Sequence, residues 1–186
     1  MTDAIHMILK AAAFAAYKHR DQRRKDVKAT PYINHPLALA QALCEEGGIY
    51  DPSILSAALL HDTIEDTETT YEELVEHFGK PIANIVLEVS DDKSLPKEVR
   101  KQRQVEKAAR ASEAAQQVKI ADKLCNLRDI LSSPPNEWSA ERKDKYFDWA
   151  KSVVDQIRDA NSGLAQKFDA VYEEGKASLI PRSKAG

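Results

Sequence analysis

The sequence predicts an all-α fold, a bundle of about eight to ten helices. Three observations predict it. Apolar residues recur three and four positions apart through most of the chain, which is the spacing of one helical face. Residues that start and stop helices punctuate these runs at Asp51-Pro52, Thr70, Gly79 and Ser132-Ser-Pro-Pro135. No segment alternates apolar and polar residues as a half-buried strand does, and no strand–helix–strand rhythm appears. At 186 residues the chain is long enough for one domain with a substantial core. That domain is assigned to residues 1–180, with 181–186 as a mobile tail.

The elements follow in order. Residues 3–19 read as a helix with Ile5, Ile8, Leu9, Ala12 and Ala16 on one face and Thr2 or Asp3 as cap. Asp21 to Pro31 breaks the pattern with four cations and two acids, and reads as a polar loop. Tyr32-Ile-Asn-His35-Pro36 opens the second helix, Leu37, Leu39, Ala40 and Leu43 continue it, and Gly47-Gly48 stops it. The third starts with Asp51 as N-cap and Pro52 in the first turn, and runs into His61, Asp62, Glu65 and Asp66. Thr70 caps a fourth, with Glu73 completing a capping-box pattern, and Gly79 ends it. Pro81 to Val89, Lys97 to Ala111 and Ala114 to Leu131 are further helices. A long one runs from Asn136 or Ser139 to about Ala160, and the last from Leu164 to about Lys176.

Composition narrows the function classes. Twenty-seven basic against 30 acidic residues leave a net charge of −3, without the basic surface that nucleic-acid binding favours. The two cysteines, Cys44 and Cys125, lie far apart and in no CxxC, so neither a disulfide framework nor a structural zinc site is expected. No apolar run approaches the ~20 residues that span a bilayer, and the first residues lack the pattern of a signal peptide. A cytoplasmic protein, bound to neither membrane nor nucleic acid, is the expectation; the oligomeric state is left open. Neither GxxxxGK[ST] nor GxGxxG occurs, so the usual phosphate-cradling loops are absent.

The chemistry concentrates in Ser56-Ala-Ala-Leu-Leu-His-Asp-Thr-Ile-Glu-Asp66. A buried helix that ends in an imidazole and three carboxylates is costly unless those groups are paired, hydrated or metal-bound. On a continuous helix His61 sits over Glu65 and Asp62 over Asp66. Two other helices each add a candidate ligand, His35 at a helix start and Asp122 in mid-helix. Singly, each has an ordinary explanation: His35 as a backbone contact, Asp122 as a partner of Lys119 or Lys123. Together, two imidazoles and two carboxylates suit Mn²⁺, with Fe²⁺ and Zn²⁺ ranked behind it. His61 and Asp62 diverge by about 100° on a helix, so both reach one ion only where the helix end points at it.

These four residues resemble the H…HD…D signature of the HD-domain metal-dependent phosphohydrolases, which implies an HD-domain helical bundle. Gln22-Arg-Arg-Lys-Asp26, Thr30-Pro-Tyr-Ile-Asn-His-Pro36, Ala58 to Asp66, Thr69 to Leu74, Asp91-Asp-Lys93 and Val118 to Leu127 narrow the resemblance to the hydrolase domain of RelA/SpoT-type proteins. The likeness runs from about residue 10 to 155 and stops where a synthetase domain would begin. It implies a stand-alone alarmone hydrolase that removes the 3′-pyrophosphate from guanosine tetra- or pentaphosphate, (p)ppGpp. Other readings are an HD-domain phosphohydrolase of another nucleotide, such as NADPH 2′-phosphate or a nucleoside 5′-monophosphate, a catalytically silent nucleotide-binding module, or a helical interaction module.

On this resemblance Glu65 orients or deprotonates the attacking water and Asp66 assists or holds a water network. Degenerate members that lack the Glu-Asp pair do not hydrolyse, and this chain keeps it. Arg24 and Lys25 match the family's basic pair and would contact base or phosphate; Asn126 would bind ribose, and Tyr32 would line the pocket. Trp138, Arg142 and Tyr146, four apart, form a stripe that either packs the core or brings Arg142 and Tyr146 to the nucleotide. Lys93, Lys97, Arg100 and Arg103 read first as a solvated face and second as attractors of the pyrophosphate. His6 and His77 are expected at the surface, His19 beside the basic loop, and Cys125 in the core.

Overall fold

The computed structural model describes residues 2–179, without the side chain of Thr2. The proposed Thr2 cap and the 181–186 tail lie outside the described residues. Ten α-helices follow one another: α1 Thr2–Lys18, α2 Asn34–Glu45, α3 Pro52–Leu60, α4 Thr63–Asp66, α5 Tyr71–Phe78, α6 Lys80–Val89, α7 Lys97–Ala108, α8 Glu113–Ser132, α9 Ala140–Val154 and α10 Ser162–Leu179. A 3-10 turn at Arg158–Ala160 joins the last two. The described residues contain no strand, only isolated bridges between Arg23 and Pro31 and between Asp26 and Pro135. The all-α expectation holds.

Two helices carry the architecture. In α3 every residue from Leu55 to Leu60 is buried, which suits a helix apolar all round. It packs on α1, α2, α6 and α8. The 20-residue α8 packs on α2, α3, α6, α9 and α10. Val118, Ile120, Ala121, Leu124 and Leu127, all fully buried, form its core face. Buried apolar residues from Ala11 to Phe168 make one continuous cluster around this pair.

Local chemistry sets most boundaries. Asp51 accepts the backbone N–H of Ser53 at 2.7 Å and of Ile54 at 3.4 Å, and Pro52 follows in the first turn. Gly48, at φ +64°, takes the left-handed conformation that lets the Ile49 N–H return to the Leu43 carbonyl after α2. Thr70 accepts the Glu73 N–H at 3.1 Å. Only that half of the capping box forms, because the Glu73 carboxylate pairs with Lys18 at 2.7 Å instead. Ser139, not Asn136, is the cap of α9. That helix stops at Val154 rather than Ala160, and α10 begins at Ser162 with Asn161 accepting the Leu164 N–H at 2.9 Å.

Two further expectations change. The buried face of α1 is centred on Ala11 and Ala15, both fully buried, while Ile5 and Leu9 are 55% and 63% exposed and Ala16 is also exposed. Alanines let α1 approach α3 closely, and Ala57 and Ala58 face the core from α3. The third helix does not run through to Asp66. It ends at Leu60, and Asp62, at φ −99° and ψ 0°, stands at the N-cap position of the short α4 with its carboxylate free of any capping bond. The His61–Asp62 break is what turns both side chains into the interior.

Candidate active site

His35 enters from the first turn of α2, His61 and Asp62 from the α3–α4 break, and Asp122 from the middle of α8. His35, His61 and Asp62 each offer a ligand atom within 4.8 Å of the others. Asp122 stands beside them, its Oδ1 3.2 Å from His35 Nε2 and 3.9 Å from His61 Nε2. The four proposed ligands therefore meet in one place.

The imidazoles are oriented from behind. His61 Nδ1 donates to the Ala58 carbonyl at 2.8 Å, which fixes the tautomer and aims Nε2 into the site. That Nε2 is buried and has no hydrogen-bond partner, although Asp62 Oδ2 lies 2.9 Å away. Close approach without a hydrogen bond is the arrangement of two ligands around a common point. His35 Nδ1 is likewise buried without a partner, 3.6 Å from Asp129 Oδ2.

Charge balance supports the same reading. Burial disfavours charge on His61, but Asp62 and then Asp122 outweigh it and raise its pKa to about 9. Burial pushes Asp62 upward, yet the His61 imidazole prevails and holds its carboxyl below the usual range. Asp122 is also held well below that range, since Lys123 and the imidazoles overcome its burial; Lys123 Nζ sits 3.0 Å from its Oδ2. Two half-buried carboxylates facing two imidazoles, each with a nitrogen left without a hydrogen-bond partner, fit a divalent cation.

Glu65 and Asp66 diverge. Glu65 lines the roughly 160 Å³ cavity that holds the cluster, accepts the Asp91 N–H at 3.2 Å and lies 3.4 Å from Arg100. Burial, with Asp62 nearby, raises its pKa to about 7. Asp66 faces the basic loop instead, accepting Gln22 at 3.0 Å and pairing with Lys93. Because the helix breaks, neither acid stacks over the preceding pair as a continuous helix would have it.

The basic loop folds back on itself. Arg24 N–H bonds to Thr30 O and Tyr32 N–H to Gln22 O, while Asp26 accepts both Thr30 N–H and its hydroxyl at 3.0 Å. His19, 3% exposed, bonds to Gln22 at 2.6 Å and so supports the loop as expected. A cleft of about 650 Å³ opens beside the metal cavity, lined by Arg24, Lys25, Tyr32, Asn126, Trp138 and Tyr146 among others; its size suits a nucleotide. Arg24, Tyr32, His35 and Asn126 line both spaces, which therefore adjoin. Tyr32 donates its hydroxyl to Asp62. Asn126 donates to Asp122 at 2.6 Å and lies 3.4 Å from Arg24.

Arg142 is exposed and stacks on Trp138 at 4.5 Å, outside the cleft lining, whereas Tyr146 lines it. Trp138 precedes α9, so these three residues do not form one helical stripe. Tyr146 links Trp138 and Trp149 at 5.4 and 5.2 Å, and burial pushes its phenol up to about 12. His6 and His77 are exposed and Cys125 is buried, as the sequence predicts. Lys93 and Arg100 are engaged with Asp66 and Glu65 rather than simply solvated.

Sequence reasoning missed Asp129, which binds Arg24 at 2.5 Å and approaches His35. Its signal was available: Asp122, Asn126 and Asp129 fall four and three apart, a polar stripe on an apolar helix. Gln22 and the buried Lys119 and Lys123 were also undervalued.

Comparison with known proteins agrees with this geometry. Residues 11–147 match the model of the HD domain. The Xenopus tropicalis protein named guanosine-3′,5′-bis(diphosphate) 3′-pyrophosphohydrolase MESH1 is 54% identical over 172 residues, 92% of this chain and 96% of its own. Its Homo sapiens counterpart of the same name is 50% identical over 167 residues, 90% and 93% of the two chains. A solved structure described as "A metazoan ortholog of SpoT hydrolyzes ppGpp and plays a role in starvation responses" superposes with a TM-score of 0.88 at 45% identity, covering 90% of this chain and 94% of that one. With its ligand constellation assembled and its likeness spanning nearly whole relatives, the chain belongs to the HD-domain family, in the group of the metazoan SpoT homologues.

Proposed function

We propose that the chain is a metal-dependent hydrolase that removes the 3′-diphosphate of guanosine 3′,5′-bis(diphosphate), releasing pyrophosphate and GDP, or GTP from the pentaphosphate. The observation that carries this reading is the buried, unpartnered Nε2 of His61, facing His35, Asp62 and Asp122 where the metal cavity meets a nucleotide-sized cleft. Relatives about half identical over nearly their whole length bear the corresponding name.

His35, His61, Asp62 and Asp122 would hold the cation, and Mn²⁺ suits their mixed nitrogen and carboxylate donors. Bound there, it would supply Lewis acidity toward the phosphoryl oxygens and acidify water. The other steps belong to the chain. Glu65, with its carboxyl near neutrality, takes a proton from the attacking water. The water oxygen bonds to the proximal phosphorus of the 3′-diphosphate, the bond from that phosphorus to O3′ breaks, and O3′ leaves as a hydroxyl with a proton from solvent, to which Glu65 returns its own. Arg24, Lys25 and Tyr32 receive the nucleoside, with Asn126 beside Arg24 and Tyr146 lining the same cleft. Arg142 reaches the nucleotide only by leaving Trp138. Asp66 anchors the basic loop through Gln22 and positions Arg24 and Lys25.

Residues 1–180 are read as one domain. No described helix is long and apolar enough to cross a membrane, and the free thiols Cys44 and Cys125 suit the reducing cytoplasm.

The test is pyrophosphate release from ppGpp by metal-stripped protein with Mn²⁺ added back. Turnover that requires both Mn²⁺ and Asp122, judged against Asp122→Ala, supports the assignment. Bound Mn²⁺ without turnover defeats the substrate assignment, and failure to bind any divalent ion defeats the site.

A further inference from the structure

A third cavity, of about 130 Å³, lies between α7, the loop after α6 and α8. Lys119 and Gln104 line both it and the metal cavity, while it shares no lining residue with the nucleotide cleft. The metal cavity therefore borders two spaces, one sized for a nucleoside and one small, lined by four cations and three carboxylates.

Lys119 is the unusual wall residue. It is only 7% exposed, yet no described carboxylate lies within ion-pair distance of its ammonium, whose one hydrogen bond is to Val89 O at 3.4 Å. Lys123, one turn on, is by contrast paired with Asp122 and lies 4.5 Å from the Trp149 ring. A buried ammonium without a counter-charge is costly. Burial and then Lys123 lower the Lys119 pKa to about 8, the state of a cation that an arriving anion would stabilise. Arg100 Nε and Gln104 Oε1 are also buried without partners.

The acids on this wall are already committed. Glu88 accepts the Ser112 N–H at 2.6 Å, Asp91 accepts Gln104 at 2.7 Å, and Asp92 accepts the Ser94 N–H and hydroxyl at 3.0 and 2.6 Å. Arg103 and Lys107, exposed on α7 at the mouth, have no described carboxylate within ion-pair distance. Lys119, Arg103 and Lys107 are therefore the cations of this space that no described carboxylate pairs.

We propose that this cavity is the subsite for the distal phosphate of the 3′-diphosphate, with Lys119 and Arg100 on its inner wall and Arg103 and Lys107 at its mouth. The proposal rests on the hydrolase reading above. With the nucleoside in the Arg24 cleft and the proximal phosphorus at the cluster, the second phosphate continues into the Lys119 cavity, whose cations hold the pyrophosphate as it leaves. A 3′-monophosphate would leave Lys119 unpaired, so the cavity is also a determinant of diphosphate over monophosphate.

The experiment compares wild type, Lys119→Met and the exposed double variant Arg103→Ala/Lys107→Ala, each loaded with Mn²⁺. Inorganic pyrophosphate and GDP are measured as product inhibitors, and kcat/KM is measured for ppGpp and for guanosine 5′-diphosphate 3′-monophosphate. Loss of a charge-assisted contact should raise the pyrophosphate inhibition constant about tenfold or more. That for GDP should hold, and the preference for the 3′-diphosphate should shrink by a similar factor. An unchanged pyrophosphate constant in the folded variants overturns the proposal while leaving the hydrolase reading intact. Equal losses on both substrates also overturn it, because Lys119 would then serve the cluster rather than the distal phosphate. If Lys119→Met does not fold, the surface double variant decides. If the wild type does not hydrolyse ppGpp, the hydrolase reading fails separately. Calorimetric titration of pyrophosphate then decides the subsite: tighter binding by wild type than by the double variant supports it, and equal binding rejects it.

Discussion

Glu65 is held near pH 7 by burial against Asp62, and this has two consequences of opposite sign. As a base it works ionised, so the rate should rise with pH, with a midpoint drawn below 7 by the cation bound beside it. As a structural group it favours the neutral form, because its folded pKa lies above its ordinary 4.5. Its contribution to stability is thus full below about pH 4.5 and lost as pH climbs through 7. The rise is worth at most about 3 kcal/mol, and about 1–3 kcal/mol after relaxation. Glu65→Gln should therefore lower kcat by about 10²–10⁴-fold while raising the melting temperature of the metal-free protein at pH 8; activity loss with a lower melting temperature would contradict this account. Asp129 acts behind the cluster. Asp129→Asn should weaken Mn²⁺ binding by about 10–100-fold, read by calorimetry, since it removes the carboxylate behind His35 and frees Arg24. An unchanged affinity would confine Asp129 to the basic loop.

At the scale of elements, the tightest constraint is where α9 meets α10. A Cβ added at Gly175 would fall 1.9 Å from a Phe147 ring carbon, in the middle of a helix where glycine is otherwise unfavourable. Gly175→Ala should destabilise the protein by about 1–3 kcal/mol in denaturant unfolding, whereas Gly48→Ala should act only through its positive φ, since nothing lies within 4 Å. Boundaries set by such local chemistry were legible in the sequence: Asp51, Thr70, Gly79 and Ser139 mark helix ends because a side-chain oxygen or a missing Cβ satisfies an end there. The helix break at His61–Asp62 was not legible. Its flanks remain good helix formers, and the chain departs from the helix to bring buried ligands together, a tertiary requirement that propensity does not carry. The face of α1 was misread for a related reason: alanine looks neutral in a periodicity count, yet close helix packing selects it over the larger Ile5 and Leu9. The four metal candidates were readable because each is an ionisable group in an apolar setting, whereas Asp129 follows Arg128 and reads as one half of a surface ion pair unless its spacing from Asp122 and Asn126 is weighed.

For the whole molecule, the proposed ligands come from α2, the α3–α4 break and α8, so the site exists only when three separate elements are packed. Metal should therefore stabilise the entire fold. Chelation should lower the melting temperature by about 5 °C or more relative to the Mn²⁺-saturated protein, and a cooperative transition should persist without metal because the apolar cluster is continuous. The central burial of α3 also sets an order of motions. Its backbone amides lie in the best-packed helix and should exchange with deuterium only through global opening. Those of residues 20–31, held by a few loop hydrogen bonds, should exchange through local opening orders of magnitude sooner. The half of the site proposed to grip the metal would then stay still while the half proposed to meet the nucleoside opened and closed, so the substrate's entry would be timed by the basic loop, independently of the rigid centre it approaches.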